Sequence, residues 1–195
     1  MDFILKLDTC LFYLINQTFQ NPLFDWFMPF ITEKYHWFPV WGLLAAWLLW
    51  KGGSRGRMMV LLIIPVIILS DQISSHVIKP LMARPRPCIV LPDVHLLSTR
   101  KTSYSFPSSH AANFFALAAF FSYFYRKYTC LFFTVAALVA CSRIYIGIHY
   151  PFDALGGALI GICCAYTVIF TWKSVTAKIT FSQRQKKENN NKQNH

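Results

Sequence analysis

With 195 residues, 55% of them hydrophobic and only 14% charged, the chain is too apolar for an ordinary soluble domain, where about a quarter of residues carry charge. The net charge of +11 does not signal nucleic acid, because the basic residues sit in short loops and a terminal tail between apolar runs, as membrane topology signals do. Several apolar runs approach the ~20 residues that a helix needs to span a bilayer, and the length suits a single membrane domain.

In chain order, residues 3–19 read as an amphipathic helix, with Phe3, Leu7, Leu11, Leu14 and Thr18 forming a stripe at helical spacing. Asp2, Lys6, Asp8, Asn16 and Gln17 interrupt the apolar pattern, and no small-residue cleavage site follows, so a cleaved signal peptide is not expected. Asn21-Pro22 ends this helix, and residues 22–31 form a second, aromatic-rich piece. Spans are expected over Thr32–Lys51, Met58–Ile78, Ser108–Tyr125, Cys130–Gly147 and Pro151–Trp172. Asp71, Gln72, Ser74, Ser75 and His76 make the end of the second span polar, for interhelical hydrogen bonds or for supporting a site. Residues 80–106 form a long polar loop, of a length that is usually functional.

The expected fold class is therefore all-α: a multi-pass transmembrane helical bundle of five spans. Its divisions are an amphipathic, interfacial or partly inserted segment over 1–31, which leaves a sixth span open, a transmembrane core over 32–172, and a disordered basic tail over 173–195. Lys51, Arg55, Arg57, Arg126, Lys127 and the tail fall on one side, which the positive-inside rule makes cytoplasmic. Five of the six cysteines lie in or beside apolar runs, Cys88 sits alone in the long loop, and no CxxC pair suggests zinc or a disulfide framework.

Three polar clusters fall at span ends on the opposite side. Lys79 is followed by Arg84-Pro85 and Arg86-Pro87, and lysine with arginine suits phosphate oxygens. Chemistry alone does not choose between the two arginines, and Lys79 alone reads more readily as a snorkelling helix end. Pro107-Ser108-Ser109-His110 is a helix-start pattern whose free N–H groups favour an anion, with His110 on the first turn. Ser142-Arg143 precedes His149 and Asp153, and the spacing of these last two places them on one helix face. An aspartate that accepts from one imidazole nitrogen leaves the other free to attack. A structural His–Asp pair at a helix start is the plainer alternative. A serine hydrolase built on Ser109, His110 and Asp153 is disfavoured, because adjacent helical residues diverge and no G-x-S-x-G elbow is present. A zinc site is equally poor among these cations.

Together the clusters resemble the type 2 phosphatidic acid phosphatase family, the membrane branch of a superfamily that includes vanadium haloperoxidases. Its K-x6-RP, PSGH and SR-x5-H-x3-D motifs match Lys79…Arg86-Pro87, Pro107-Ser108-Ser109-His110 and Ser142-Arg143…His149…Asp153, with Ser109 in place of the usual glycine. The resemblance covers roughly residues 58–172 and selects Arg86 over Arg84. It implies that Lys79, Arg86 and Arg143 clamp phosphate while Ser108 and Ser109 add donors. It further implies that His149 forms a phosphohistidine, Asp153 orients His149, and His110 protonates the leaving oxygen and then activates water, with no metal or cofactor. The expected partner is a lipid phosphate in the bilayer: undecaprenyl diphosphate, phosphatidylglycerophosphate, phosphatidate or lipid A phosphate. The small chain, without a further headgroup-binding domain, leans toward an undecaprenyl-diphosphate-type or broad phosphatase. A phosphotransferase using the same intermediate and a non-enzymatic lipid-binding or transport protein are the rivals.

Overall fold

The computed structural model describes residues 2–100 and 102–193, and among them every regular element is helical. Helix α1 (Asp2–Tyr13) widens into a π turn over Leu14–Thr18. Its orientation reverses the usual sense of an amphipathic helix. Asp8, Phe12 and Asn16 are fully buried, whereas Phe3, Leu7 and Leu14 of the apolar stripe are exposed. A lipid surrounding dictates that sense, because apolar side chains sit comfortably against hydrocarbon while a carboxylate and an amide need partners. Asn16 finds them by donating through Nδ2 to the carbonyls of His95 at 2.8 Å and Tyr145 at 2.7 Å, and by accepting from the His95 amide at 2.9 Å.

Asn21 caps α2 (Pro22–Thr32), its Oδ1 accepting from the Phe24 amide at 2.9 Å, with Pro22 in the first turn where its missing N–H is harmless. Helices α3 (Lys34–Lys51) and α4 (Gly53–Asp71) form a hairpin. The chain leaves α4 through a π segment, Gln72–Ile78, into the short α5 (Lys79–Met82), which stops at Ala83 in the left-handed conformation. A π segment shifts the register of the side chains beyond it, a device common beside functional sites. Here it precedes Lys79. After α6 (Pro87–Val90) an irregular segment leads to α7 (Ser109–Phe124), a 3-10 turn over Arg126–Tyr128, α8 (Thr129–Tyr145) and α9 (Pro151–Gln193).

The tightest contact is between α7 and α9. A Cβ on Gly157 or Gly161 would run into the carbonyl oxygens of Ser108 and Ala112, so the two backbones meet only because α9 has no side chain there. Ala111, Ala112 and Ala116 of α7 lie on the same seam and are fully buried. Small residues of this kind let helices associate where lipid removes the usual hydrophobic drive. One apolar core, with Leu48, Met59, Val66, Phe120 and Ile169, lies between α3, α4, α7 and α9, and two smaller cores lie near the starts of α7 and α9.

Among the described residues three helical stretches are long and apolar enough to cross a membrane: Gly53–Val90, Arg126–Tyr145 and Pro151–Gln185. They correspond to three of the five expected spans, the second ending two residues short of the expected Gly147. The other two expected spans fall short, α7 because it has 16 residues and α3 because Lys34, His36, Lys51 and four tryptophans dilute its apolar character. The tail also differs from expectation. Helix α9 runs on through residues 173–193, a stretch without Gly or Pro and rich in Lys, Gln and Arg, which extend a helix at little cost.

The α7–α9 seam makes a direct prediction. Gly161→Val should lower stability by about 3 kcal/mol or more, because the obstacle is backbone that cannot move aside. Gly42→Ala on α3, where nothing lies within 4 Å, should be neutral or slightly stabilising. Thermal melting of the purified proteins in detergent compares the two.

Candidate active site

The loop after α8 carries His149, which turns back over the bundle because Gly147 adopts φ 85, a conformation few other residues accept. His149 is 2% exposed, and its two nitrogens have distinct surroundings. Nε2 lies 3.1 Å from Nη1 of Arg86, and a guanidinium only donates, so Nε2 accepts and the proton resides on Nδ1. Nδ1 faces Oδ2 of Asp153 at 3.5 Å and has no partner at hydrogen-bonding distance. Arg86, at the mouth of α6, is fixed by the Ser103 carbonyl at 2.7 Å, the Ser103 hydroxyl at 3.0 Å and the Ile148 carbonyl at 2.8 Å. The long loop is thus folded over the site and holds one of its cations.

Asp153, in the first turn of α9, is fully buried. Its Oδ1 accepts from Nη1 of Arg84 at 2.8 Å and its Oδ2 from the Tyr150 amide at 2.8 Å. The second guanidinium nitrogen of Arg84 reaches Oδ2 of Asp8 at 2.6 Å, and its plane lies 3.9 Å from the Tyr150 ring centroid.

The start of α7 meets the π segment and the start of α5 through side chains. Lys79 donates to the Ser109 hydroxyl at 3.2 Å, and the Ser75 hydroxyl lies 2.8 Å from the same oxygen. Ser108 is the N-cap: its Oγ accepts from the Ala111 amide, and its own amide donates to the Asp153 carbonyl at 2.9 Å. Its polar groups therefore join α7 to α9. Arg143, at the end of α8, is 7% exposed, with Nη1 on the Thr32 hydroxyl at 2.8 Å and Nε without a partner. His110 lines a cavity of 590 Å³ between α3, α4 and α7. Trp41, Leu48, Ile63 and Leu117 make this cavity apolar, and Lys34, Asp71, Ser109 and His110 form its polar end.

Among the described residues no carboxylate lies within ion-pair distance of Lys79, Arg86 or Arg143. Positive charge therefore exceeds negative charge around His149, and an anion is the natural complement. Burial holds the His149 imidazole well below its ordinary value near 6.5, and the charges of Arg86, Arg143 and Lys79 push it the same way. The imidazole is neutral at physiological pH, which keeps the Nε2 lone pair available.

All eight residues expected at the site lie at this end of the bundle: Lys79 at the start of α5, Arg86 just before α6, Ser108, Ser109 and His110 at the start of α7, Arg143 near the end of α8, His149 in the loop after it and Asp153 in the first turn of α9. Sequence reasoning gave no role to Asp8, Thr32 or Ser103. Asp8 had a readable signal, since a carboxylate in an apolar helix needs a cation nearby. Chemistry left Arg84 and Arg86 open and the resemblance selected Arg86; Arg84 instead pairs with Asp8 and Asp153, and Ser75, one of the polar residues noted at the end of the second span, meets Ser109.

Fold and site together define an integral membrane protein with a buried histidine among cations at one end of its helices. The PAP2 superfamily model matches residues 60–177, and the chain belongs to that superfamily. It is 31% identical to the lipid A 4'-phosphatase of Porphyromonas gingivalis over 86% of this chain and 74% of that protein. It is 30% identical to the undecaprenyl-diphosphatase of Sulfolobus acidocaldarius over 77% of this chain and 71% of that protein. The crystal structure of Aquifex aeolicus LpxE superposes with a TM-score of 0.69 at 31% identity, covering 84% of this chain and 94% of that one.

The depressed basicity of His149 sets a sign for pH dependence. Above about pH 6.5 the group is neutral both folded and unfolded and contributes nothing. As pH falls below that, the unfolded chain takes up the proton and the folded one does not, so stability declines by up to about 1.4 kcal/mol per pH unit. Melting curves in detergent from pH 7.5 to 5 should show this loss in the wild type and a shallower one in His149→Gln.

Proposed function

We propose that the chain is a lipid phosphatase acting at the level of the headgroups through a covalent phosphohistidine. The observation that carries this reading is the neutral, buried His149. Its Nε2 faces Arg86, its Nδ1 faces Asp153, and it sits among cations that lack counter-charges. The apolar cavity ending at Ser109 and His110 suits a hydrocarbon chain whose phosphate reaches those cations.

In this reading Lys79, Arg86 and Arg143 hold the phosphate oxygens and stabilise the charge of the transition state, and Ser109 adds a hydroxyl. Nε2 of His149 forms a bond to phosphorus as the bond to the lipid oxygen breaks, and His110 gives that oxygen a proton. Asp153 stabilises the Nδ1–H side of the imidazole. His110, now the base, takes a proton from water as the water oxygen attacks phosphorus, which frees His149 and releases inorganic phosphate. No step draws on a metal.

The basic loops support one orientation. Arg55 and Arg126 lie at the end of α7 and Ser109 and His110 at its start, about 24 Å apart on a helix of 16 residues. With the basic end cytoplasmic, the site faces away from the cytoplasm and α9 delivers the tail to it. Five crossings follow if α3 and α7 also span, α3 by burying its apolar middle and α7 because the 3-10 turn extends it. Lipid A phosphate and undecaprenyl diphosphate are the leading substrates, being the lipids in the names of the relatives.

The test is phosphate release in detergent from lipid A, undecaprenyl diphosphate, phosphatidate and phosphatidylglycerophosphate. At least one should turn over, and His149→Ala should lower kcat by about 10³-fold or more. Full activity in His149→Ala would contradict the mechanism, and an inactive wild type on all four lipids would contradict the substrate class.

A further inference from the structure

Arg84 lies between two fully buried carboxylates, and one of them belongs to the first helix, outside the segment that the family model matches. We infer that Arg84 and Asp8 are positioning residues for the His149–Asp153 pair, so that α1 completes the catalytic site. The inference rests on the phosphatase reading above and extends it to residues with no part in holding phosphate.

The geometry runs outward from Asp153. Its carboxylate can rotate, and what it offers His149 depends on which oxygen faces Nδ1. Arg84 holds Oδ1 at 2.8 Å, and the Tyr150 amide holds Oδ2 at 2.8 Å, which leaves the Oδ2 edge 3.5 Å from Nδ1. Without Arg84, Oδ1 loses its charged donor, and the buried carboxylate is free to turn toward another. The guanidinium is itself held on two further sides, by the Asp8 carboxylate at 2.6 Å and by the Tyr150 ring at 3.9 Å. The other oxygen of Asp8 accepts from the Phe152 amide at 2.9 Å, which fixes the chain between His149 and Asp153 from the side of α1. Asp8 thus acts twice on the same pair, through Arg84 and through the backbone beside it.

Both terminal nitrogens of Arg84 are spent on carboxylates, so the residue is not a fourth phosphate ligand. A phosphate ligand would raise KM on removal. A brace that only fastens α1 would lower stability and leave kcat intact. A positioning role lowers kcat in folded protein, with little change in KM.

The experiment measures phosphate release in detergent on whichever of the four lipids above the wild type turns over fastest. Arg84→Gln should lower kcat about 100-fold with KM within about 3-fold, and Asp8→Asn should lower kcat about 10-fold. Arg84→Lys should recover part of the loss. The double variant Asp8→Asn/Arg84→Gln should be no slower than Arg84→Gln, because the two act as one unit. Gel filtration and melting in detergent check that each variant is folded, and if Arg84→Gln does not survive purification, Asp8→Asn and Arg84→Lys carry the test. Folded variants that keep kcat within about 3-fold of the wild type, lose only KM, or add their effects independently would overturn the inference. An inactive wild type would overturn the phosphatase reading and this inference with it, a result distinct from an active wild type with active Arg84 and Asp8 variants.

Discussion

A surplus of buried positive charge around one neutral imidazole is the constraint on which the rest of this structure depends. Lys79, Arg86 and Arg143 have no carboxylate in ion-pair contact among the described residues, and Arg143 keeps a buried nitrogen without a partner. Uncompensated charge at this depth is expensive and persists only when the surrounding fold enforces it. Burial first, and then the same charges, keep the proton off His149. In the proposed mechanism the arrangement that would attract an anion would also keep a nucleophile ready for it, and the entry of a phosphate would relieve the crowding of positive charge.

Enforcement comes from the helix packing. Gly157 and Gly161 let α9 approach α7 until the Ser108 amide reaches the Asp153 carbonyl. The first turns of both helices, with Ser109 and His110 on one and Asp153 on the other, are held together by that contact. The loop over residues 80–106 closes the site from above through Ser103 and Ser105, the latter pinned to the Arg84 and Pro85 carbonyls. Helix α1 closes it from the side, polar face inward. Each of these contacts joins segments distant in sequence, so the site forms only as the whole bundle forms.

The sequence made the chemistry more legible than the architecture. Lys79, Arg86, His110, Arg143, His149 and Asp153 stand at the spacings of the family's motifs, and their positions at the ends of apolar runs already suggested one common face. Arg84 and Asp8 were less legible because a buried ion pair has no periodicity, and its partners here are 76 residues apart. The stripe on α1 marked an amphipathic helix but not what its polar side meets: in lipid the apolar side is the one that needs no partner, and Asp8 and Asn16 turn inward. The extent of α9 was hidden because tail composition and helix propensity point in opposite directions over residues 173–193. Length and hydropathy carry three of the five expected spans; α3, diluted by Trp, His and Lys, and the short α7 do not stand on those two measures alone.

The account stands most directly on a covalent bond between His149 and phosphorus. Rapid quenching into alkali during turnover of a ³²P-labelled lipid substrate measures it. The predicted result is label on the wild-type chain that survives alkali, is lost in acid, and is absent from His149→Ala. Turnover without such label, or label that persists in His149→Ala, would contradict it.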